Sequence, residues 1–222
     1  MMKDDELLYA LIDAISDNAE DQMASLLVRL ASQAQVPSLL QRGLVLAAIL
    51  GSPEAIEVFL DLGAAVNGLT QLSAQCYDEE GPYTTHYEQY ALLAALKEAH
   101  VEAVAVLLSH GADVTVTDCL SGDGVLHIAL CHAAYPQLTL LVALLLSHGA
   151  SISACDAAGD TVLHRAVERG CLPAVKLLLQ RGSDPRAQNE AGKTPLEIAT
   201  RYDAPTLLGR RRARIARYLR HC

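Results

Sequence analysis

The sequence predicts an all-α fold, a solenoid in which short helix pairs are stacked side by side along the chain. Of its 222 residues, 51% are hydrophobic, which is enough for an extended core. Aromatic residues make up only 4% and tryptophan is absent, so the apolar residues are small and aliphatic, as suits closely packed helices. The third observation is an internal repeat, and it sets the order of the elements.

The repeat is marked by an apolar run that ends three residues before a glycine. Four segments follow this pattern, and their glycines are Gly63, Gly111, Gly149 and Gly182. These glycines are 48, 38 and 33 residues apart, as expected for a 33-residue unit that has acquired two insertions. A period of this length indicates a repeat architecture whose units cannot bury their apolar faces alone.

The clearest unit runs from Asp156 to Asp184 and reads DAAGDTVLHRAVERGCLPAVKLLLQRGSD. It resembles the ankyrin repeat almost position for position, and altered forms of the TPLH-x-A opening occur as GVLHIAL upstream and TPLEIA downstream. Two earlier units, at Arg42–Asn67 and Tyr90–Asp113, align by their glycines but lack the threonine and the histidine. The resemblance covers about residues 42–199 and implies a fold that binds proteins.

Each unit is predicted to form two short antiparallel helices. In the unit that starts at Asp156, Leu163, Ala166 and Val167 are spaced as on one face of a first helix. The second helix is more fully apolar, with Pro173 near its start and Gly182 after its last turn.

We expect one domain over residues 1–222, in which caps enclose the repeats. Residues 1–36 are expected to form a capping helix pair, residues 37–200 the repeats with an insertion at 68–89, and residues 201–222 a basic capping helix. The N-terminal cap has two apolar stripes: Leu7, Leu8, Leu11, Ala14 and Ile15, and Met23, Leu26, Leu27 and Leu30. The C-terminal stripe is Leu207, Leu208, Ile215, Tyr218 and Leu219, with Arg210, Arg211, Arg214 and Arg217 largely on its polar side. A solvated face is the preferred interpretation of these arginines, and a site for an acidic partner or an anion is the alternative.

The charge distribution excludes a general nucleic-acid binder. Residues 1–200 contain 25 acidic and 10 basic side chains, and residues 201–222 contain 1 acidic and 7 basic ones. An acidic chain repels phosphate backbones. The N-terminal sequence lacks the pattern of a secretory signal, and apolar runs such as Leu140–Leu146 are too short for a membrane span. Six cysteines without C-x-x-C pairs indicate a reducing compartment, so we expect a soluble, cytoplasmic protein.

The insertion at residues 68–89 is the predicted binding segment. With Tyr90 it holds four of the chain's eight tyrosines within 14 residues, among clustered carboxylates. Tyrosine is frequent at binding hot spots, and carboxylates steer a basic partner. The resemblance implies that this segment is the finger beside the concave surface, which the family commonly uses to bind proteins. The candidate residues are Tyr77, Asp78, Glu79, Glu80, Tyr83, His86, Tyr87, Glu88 and Tyr90. A loop that merely covers the imperfect early repeats is the alternative.

No motif indicates catalysis, a metal or a cofactor. The chain has no H-E-x-x-H sequence, and adjacent Cys131 and His132 are poorly spaced for tetrahedral ligation. The resemblance implies that His127 and His164, at the fourth place of the opening, form hydrogen bonds that brace adjacent turns. A second insertion lies around residues 131–136, where Pro136 is expected to end or redirect the first helix.

The sequence therefore predicts a non-catalytic module that binds one protein partner, with a basic surface, through a concave acidic face and the tyrosine-rich loop. We expect it to be monomeric when unbound. Capped repeats act by occupying a surface, so a stoichiometric inhibitor, such as a bacterial immunity protein against a basic toxin, is one hypothesis. An adaptor or a secreted effector acting on a host protein is the alternative. An enzyme with a Cys–His site at Cys131 and His132, or one using Cys171, is the least favoured.

Overall fold

The computed structural model describes residues 4–17, 19–31, 36–78, 81–200 and 206–221. Within these ranges it contains helices paired along the chain and one two-stranded antiparallel sheet. The helices are α1 (Asp4–Ser16), α2 (Glu20–Ala31), α3 (Val36–Leu50), α4 (Pro53–Asp61), α5 (Ala91–Lys97), α6 (Val101–Ser109), α7 (Val125–His132), α8 (Tyr135–Ser147), α9 (Val162–Glu168), α10 (Leu172–Gln180), α11 (Pro195–Thr200) and α12 (Leu207–Leu219). The strands are β1 (Thr70–Asp78) and β2 (Gly81–Gln89).

The predicted all-α repeat class is confirmed, with one addition. The long insertion forms a β-hairpin, whereas the sequence predicted a loop there. The backbone falls into two compact units, Met1–Asp113 and Val114–Cys222. None of the described helices combines the length and the apolar character needed to cross a bilayer.

The N-terminal unit contains the helix pairs α1/α2, α3/α4 and α5/α6. The predicted stripe of α1 is buried, and α1 packs against α2, α3 and α4. Ser52 caps α4 by accepting a hydrogen bond from the Ala55 N–H at 3.3 Å, and Pro53 occupies the first turn, where no N–H is needed. These local signals fix the start of α4.

Another histidine joins two of the helix pairs of this unit, whose repeats lack the threonine and histidine opening. His100 Nε2 donates to the Ile49 carbonyl near the end of α3, at 3.0 Å. Its ring lies where a side chain on Gly51 would be, and Gly51 has a φ of +72°, which glycine adopts without strain.

The C-terminal unit contains the pairs α7/α8, α9/α10 and α11/α12, and histidines brace its turns as predicted. His127 Nε2 donates to the Asp160 carbonyl at 3.0 Å, and His164 Nε2 donates to the Lys193 carbonyl at 2.9 Å. Both side chains are fully buried. The structural role that the sequence assigned to these two residues is confirmed.

Two details of this unit differ from the prediction. Pro136 lies in the first turn of α8, and α7 has already ended at His132, so the short insertion begins the second helix instead of interrupting the first. In the C-terminal cap, Leu207 is 65% exposed and Leu208 40%, although the predicted apolar stripe includes both. Arg212 is buried instead, and its guanidinium donates to the Glu168 carbonyl at the end of α9.

The turns that precede the helix pairs share one device, an Asp or Asn whose side chain binds backbone N–H groups. Asp156 Oδ1 accepts from Ala158 and Asp160 at 2.8 and 2.9 Å, and Asn189 Oδ1 has the same role in the next repeat. Only the carboxylate also binds a guanidinium: Arg165 lies 2.7 Å from Asp156 Oδ2. The turn therefore needs a side-chain oxygen that accepts hydrogen bonds, which Asp and Asn both provide. The negative charge of Asp156 is needed only for its ion pair with Arg165.

We expect Asp156→Asn to keep the turn and to lower the free energy of unfolding by about 1 kcal/mol at neutral pH, through loss of the ion pair. Burial of Asp156 opposes ionisation, but the Ala158 and Asp160 N–H groups and Arg165 hold the pKa of the carboxyl below its ordinary value. A carboxyl whose pKa is lower in the folded than in the unfolded state stabilises the fold at pH values above its unfolded pKa of about 4. This contribution is lost as the pH falls through the pKa of the folded state. Urea unfolding of both proteins between pH 7 and pH 3 should show their difference shrinking below about pH 4. A difference that does not change with pH would contradict this assignment.

Candidate functional site

The predicted binding segment is a regular hairpin. Strands β1 and β2 pair over their whole length, from Thr70 opposite Gln89 to Asp78 opposite Gly81. Nine residues of extended chain span about 30 Å. The structure thus places the insertion on a long ribbon and not in an irregular loop.

The base of the hairpin is held by the helices of the N-terminal unit. Gln41 of α3 donates from Nε2 to the Gly68 carbonyl at 3.0 Å and accepts from the Ala65 N–H at 3.0 Å. The first pair of the ladder, Thr70 and Gln89, is 4% and 3% exposed. The hairpin therefore starts from a fixed position on α3.

A second contact secures the chain just before the hairpin. Asn67 Nδ2 donates to the Gly111 carbonyl at 3.1 Å, and Asn67 Oδ1 accepts from the Asp113 N–H at 2.8 Å. Both partners belong to the turn after α6, so one amide side chain joins two successive repeats. Neither Gln41 nor Asn67 was predicted from the sequence; the only signal was a polar residue directly before the insertion.

The register divides the candidate residues between two faces of the ribbon. Positions of one face alternate along β2 as Tyr83, Tyr87 and Gln89, opposite Cys76, Leu72 and Thr70. Positions of the other face include Tyr77, His86 and Glu88. Because a flat partner surface touches one face at a time, these residues are two candidate sets and not a single site.

The structure describes the remaining candidates unequally. Glu88 is exposed, Tyr90 is half-buried at the residue before α5, and Asp78 ends β1 opposite Gly81. Glu79 and Glu80 lie outside the described residues. At the base of the ribbon, the face of Gln71 and Glu88 is the one open to solvent.

The N-terminal unit that carries the hairpin is strongly acidic. Residues 1–113 contain 17 acidic and 4 basic side chains. A surface of one sign raises the rate at which a partner of opposite charge arrives and disfavours partners of the same charge. The hairpin therefore belongs to a unit with a large excess of negative charge.

The residues considered for catalysis show no activated nucleophile. Cys131 and His132 are both exposed, yet partial burial of the Cys131 thiol raises its pKa, and burial also raises the pKa of Cys171. A raised pKa disfavours the thiolate that a nucleophile requires. Among the residues that the structure describes, no three His, Cys, Asp or Glu side chains are grouped as a metal site would require.

Family comparisons agree with the repeat geometry. A family model for ankyrin repeats (3 copies) matches residues 126–220, and one for ankyrin repeats (many copies) matches residues 92–142. This chain is an ankyrin-repeat protein. Ankyrin repeats form modules that bind other proteins, and this chain contains such repeats.

Relatives of this ankyrin-repeat protein are longer than the stretch that they share with it. The B-cell lymphoma 3 protein of Homo sapiens is 35% identical over 148 residues, which are 67% of this chain and 29% of the relative. The ankyrin repeat and SOCS box protein 11 of Danio rerio is 31% identical over 131 residues, or 56% of this chain and 42% of the relative. The chain therefore spans less than half the length of either of these relatives.

Proposed function

We propose that this ankyrin-repeat protein binds one protein partner with a basic surface, and that the hairpin of β1 and β2 is the main contact. The observation that carries the proposal is the anchored ribbon itself. Gln41, Thr70 and Gln89 fix its base, so a partner does not have to order the base of the hairpin when it binds. A pre-organised contact surface loses less conformational entropy on binding than a mobile loop.

The negative charge of the N-terminal unit supports a partner with a basic surface. The N-terminal unit has 17 acidic and 4 basic side chains, and the hairpin segment contains both tyrosines and carboxylates. In this proposal the acidic concave face of the repeats steers a basic surface, and tyrosines supply the apolar contact. The complex should then associate more slowly at high salt, whereas its dissociation rate should change less.

The hairpin is tested by replacement. We expect a variant whose residues 71–88 are a short Gly-Ser linker to lose the partner that the full chain recovers from lysate of its source organism, with both proteins confirmed folded by circular dichroism. The partner is then purified and its affinity measured directly for both. Equal affinity would show that the hairpin is not the contact and would leave the helices as the binding surface.

A pair of matched variants identifies the face. Tyr83→Ser with Tyr87→Ser changes positions of one face, and Tyr77→Ser with Glu88→Gln changes positions of the other. We expect one pair to weaken binding by at least about tenfold, which is about 1.4 kcal/mol, and the other to have a small effect. Equal losses from both pairs would contradict binding through a single face.

Because a repeat module acts by covering a surface of its partner, a stoichiometric inhibitor is our leading interpretation. An immunity protein against a basic toxin is the specific case. We expect the activity of an enzymatic partner to fall to zero at one equivalent of this chain. Undiminished partner activity in the saturated complex would contradict inhibition and favour the alternative, an adaptor or secreted effector. The genes next to its own separate these cases, since a toxin gene favours immunity and a secretion system favours an effector.

A further inference from the structure

The C-terminal unit has the opposite net charge from the N-terminal unit. Residues 114–222 contain 9 acidic and 13 basic side chains. Helix α12 contributes five arginines and no acidic residue: Arg210, Arg211, Arg212, Arg214 and Arg217. Such a helix has its own surface chemistry, which the proposed function of the hairpin does not use.

These five arginines differ in their burial. Arg212 is buried and binds the end of α9, whereas Arg210, Arg214 and Arg217 are exposed. Arg214 is three or four residues from Arg210, Arg211 and Arg217, and like charges at these spacings destabilise a helix. A capping helix needs a polar outer face, but glutamate and lysine in alternation would provide one without this repulsion.

Part of this positive charge lines a groove between α10 and α12. The groove has a volume of about 470 Å³ and is lined by Gly170, Leu172, Pro173, Lys176, Arg211 and Arg214. Leu172 and Pro173 provide apolar surface, and the three cations stand around it. The Lys176 ammonium lies 5.3 Å from the centre of the Tyr218 ring, a contact that joins the two helices beside the groove.

The shape of the groove depends on a glycine. Gly170 has a φ of +69°, and a side chain there would approach Leu208 Cδ1 to 2.9 Å and Arg211 Cβ to 3.2 Å. Glycine at this position accommodates the positive φ and lets α12 lie close to the start of α10.

We propose that this groove is a second docking site, which binds an acidic polypeptide segment carrying an apolar side chain. Leu172 and Pro173 receive the apolar side chain, while Lys176, Arg211 and Arg214 pair with flanking carboxylates. A free anion would leave the apolar surface uncovered, and a membrane would require the apolar residues to protrude instead of lining a concavity. Charge complementarity therefore selects an acidic peptide. The proposal does not rest on the function of the hairpin, which lies in the other unit.

The test is fluorescence anisotropy with the full chain and a labelled peptide in which two leucines are flanked by glutamates and aspartates. A peptide with serines in place of the leucines and a peptide with lysines in place of the acids are the controls. We expect only the first peptide to bind well, with an affinity that decreases as salt is added. Equal binding of the serine peptide would reduce the groove to an anion site and overturn the proposal, as would no binding at all.

A matched pair of variants localises the binding. Lys176→Glu with Arg214→Glu changes two residues of the groove, and Arg210→Glu with Arg217→Glu makes the same charge change on exposed residues of α12 that do not line it. We expect the groove variant to weaken binding at least about tenfold and the control pair to have less than half that effect. Equal losses would show unspecific attraction and overturn the proposal. If the groove variant is not folded by circular dichroism, Lys176→Gln with Arg214→Gln replaces it.

The same variants test whether the groove binds a second copy of this chain, because the N-terminal unit of such a copy is acidic. Sedimentation of the full chain alone, over a range of concentrations, should show a single species. Self-association that the groove variant abolishes would overturn the assignment to a separate partner.

Discussion

Replacement of His164 by alanine should lower the free energy of unfolding by about 3 kcal/mol. His164 is fully buried and bridges two repeats. The Thr161 N–H donates to Nδ1 at 3.1 Å, so the ring proton is on Nε2, which donates to the Lys193 carbonyl at 2.9 Å. Alanine removes both of these hydrogen bonds and a third, between Nδ1 and the Thr161 hydroxyl at 2.8 Å. It also leaves a cavity and leaves two backbone groups without their partner. Urea unfolding followed by far-ultraviolet circular dichroism measures the loss.

His127 is the natural comparison for this prediction. It makes the same Nε2 hydrogen bond, but its Nδ1 is buried without a hydrogen-bond partner among the described residues. Gly124 stands where Thr161 stands one repeat later, and it has no hydroxyl to offer the ring. We therefore expect His127→Ala to cost about 1 kcal/mol less than His164→Ala. Equal costs would show that the threonine contributes nothing.

The reciprocal change should be stabilising. Gly124 has φ −73° and ψ 166°, close to the −71° and 164° of Thr161, and no atom lies within 4 Å of a Cβ built on it. Threonine fits there without strain, and its hydroxyl can approach the His127 ring as that of Thr161 approaches His164, at 2.8 Å. We expect Gly124→Thr to add about 1 kcal/mol to the free energy of unfolding. In a His127→Ala background this gain should largely disappear.

The second large effect is expected in the N-terminal unit, where Gly43→Ala should lower the free energy of unfolding by about 2 kcal/mol. Gly43 is buried inside α3, and a methyl group there would overlap the buried ring of Phe59 from α4. Alanine improves helix propensity by about 1 kcal/mol, but overpacking of this kind costs up to about 3 kcal/mol. The steric cost exceeds the gain in helix propensity. A glycine-to-alanine substitution inside a helix, which is usually stabilising, is therefore destabilising here.

A double-mutant cycle with Phe59→Leu tests the cause. Leucine vacates the space beside Gly43, so Gly43→Ala should be nearly neutral or slightly stabilising in that background. The same loss in both backgrounds would place the clash elsewhere. Thermal unfolding and hydrogen exchange of the α3 and α4 amides localise the effect to this helix pair.

Much of the repeat architecture could be predicted because its signals are local. The apolar spacing of Leu163, Ala166 and Val167, the proline that begins α10 and the glycine that follows it each act within a few residues. The roles of His127 and His164 followed from the family pattern that the sequence resembles. Such features depend on neighbours along the chain or one repeat away, so a single sequence shows them.

The features that were missed depend on contacts between distant residues. The insertion contains Gly81-Pro82, and its strands are polar, so no clear alternation of apolar residues indicated a hairpin. Gln41 and Asn67 act through partners 24 to 46 residues away. Leu207 and Leu208 were assigned to the core from helical spacing alone, but they lie in the first turn of α12, where Gly209 is the buried residue and both leucines are exposed.

The hydrogen bonds of Asn67 to Gly111 and Asp113 have a consequence for how this protein can change. They join one repeat to the next beside the point where the hairpin begins, and they use no residue of the hairpin. The hairpin can therefore be exchanged without loss of these hydrogen bonds between repeats. Grafting another hairpin between Thr70 and Gln89 should therefore redirect the protein to a new partner while its unfolding midpoint stays nearly the same.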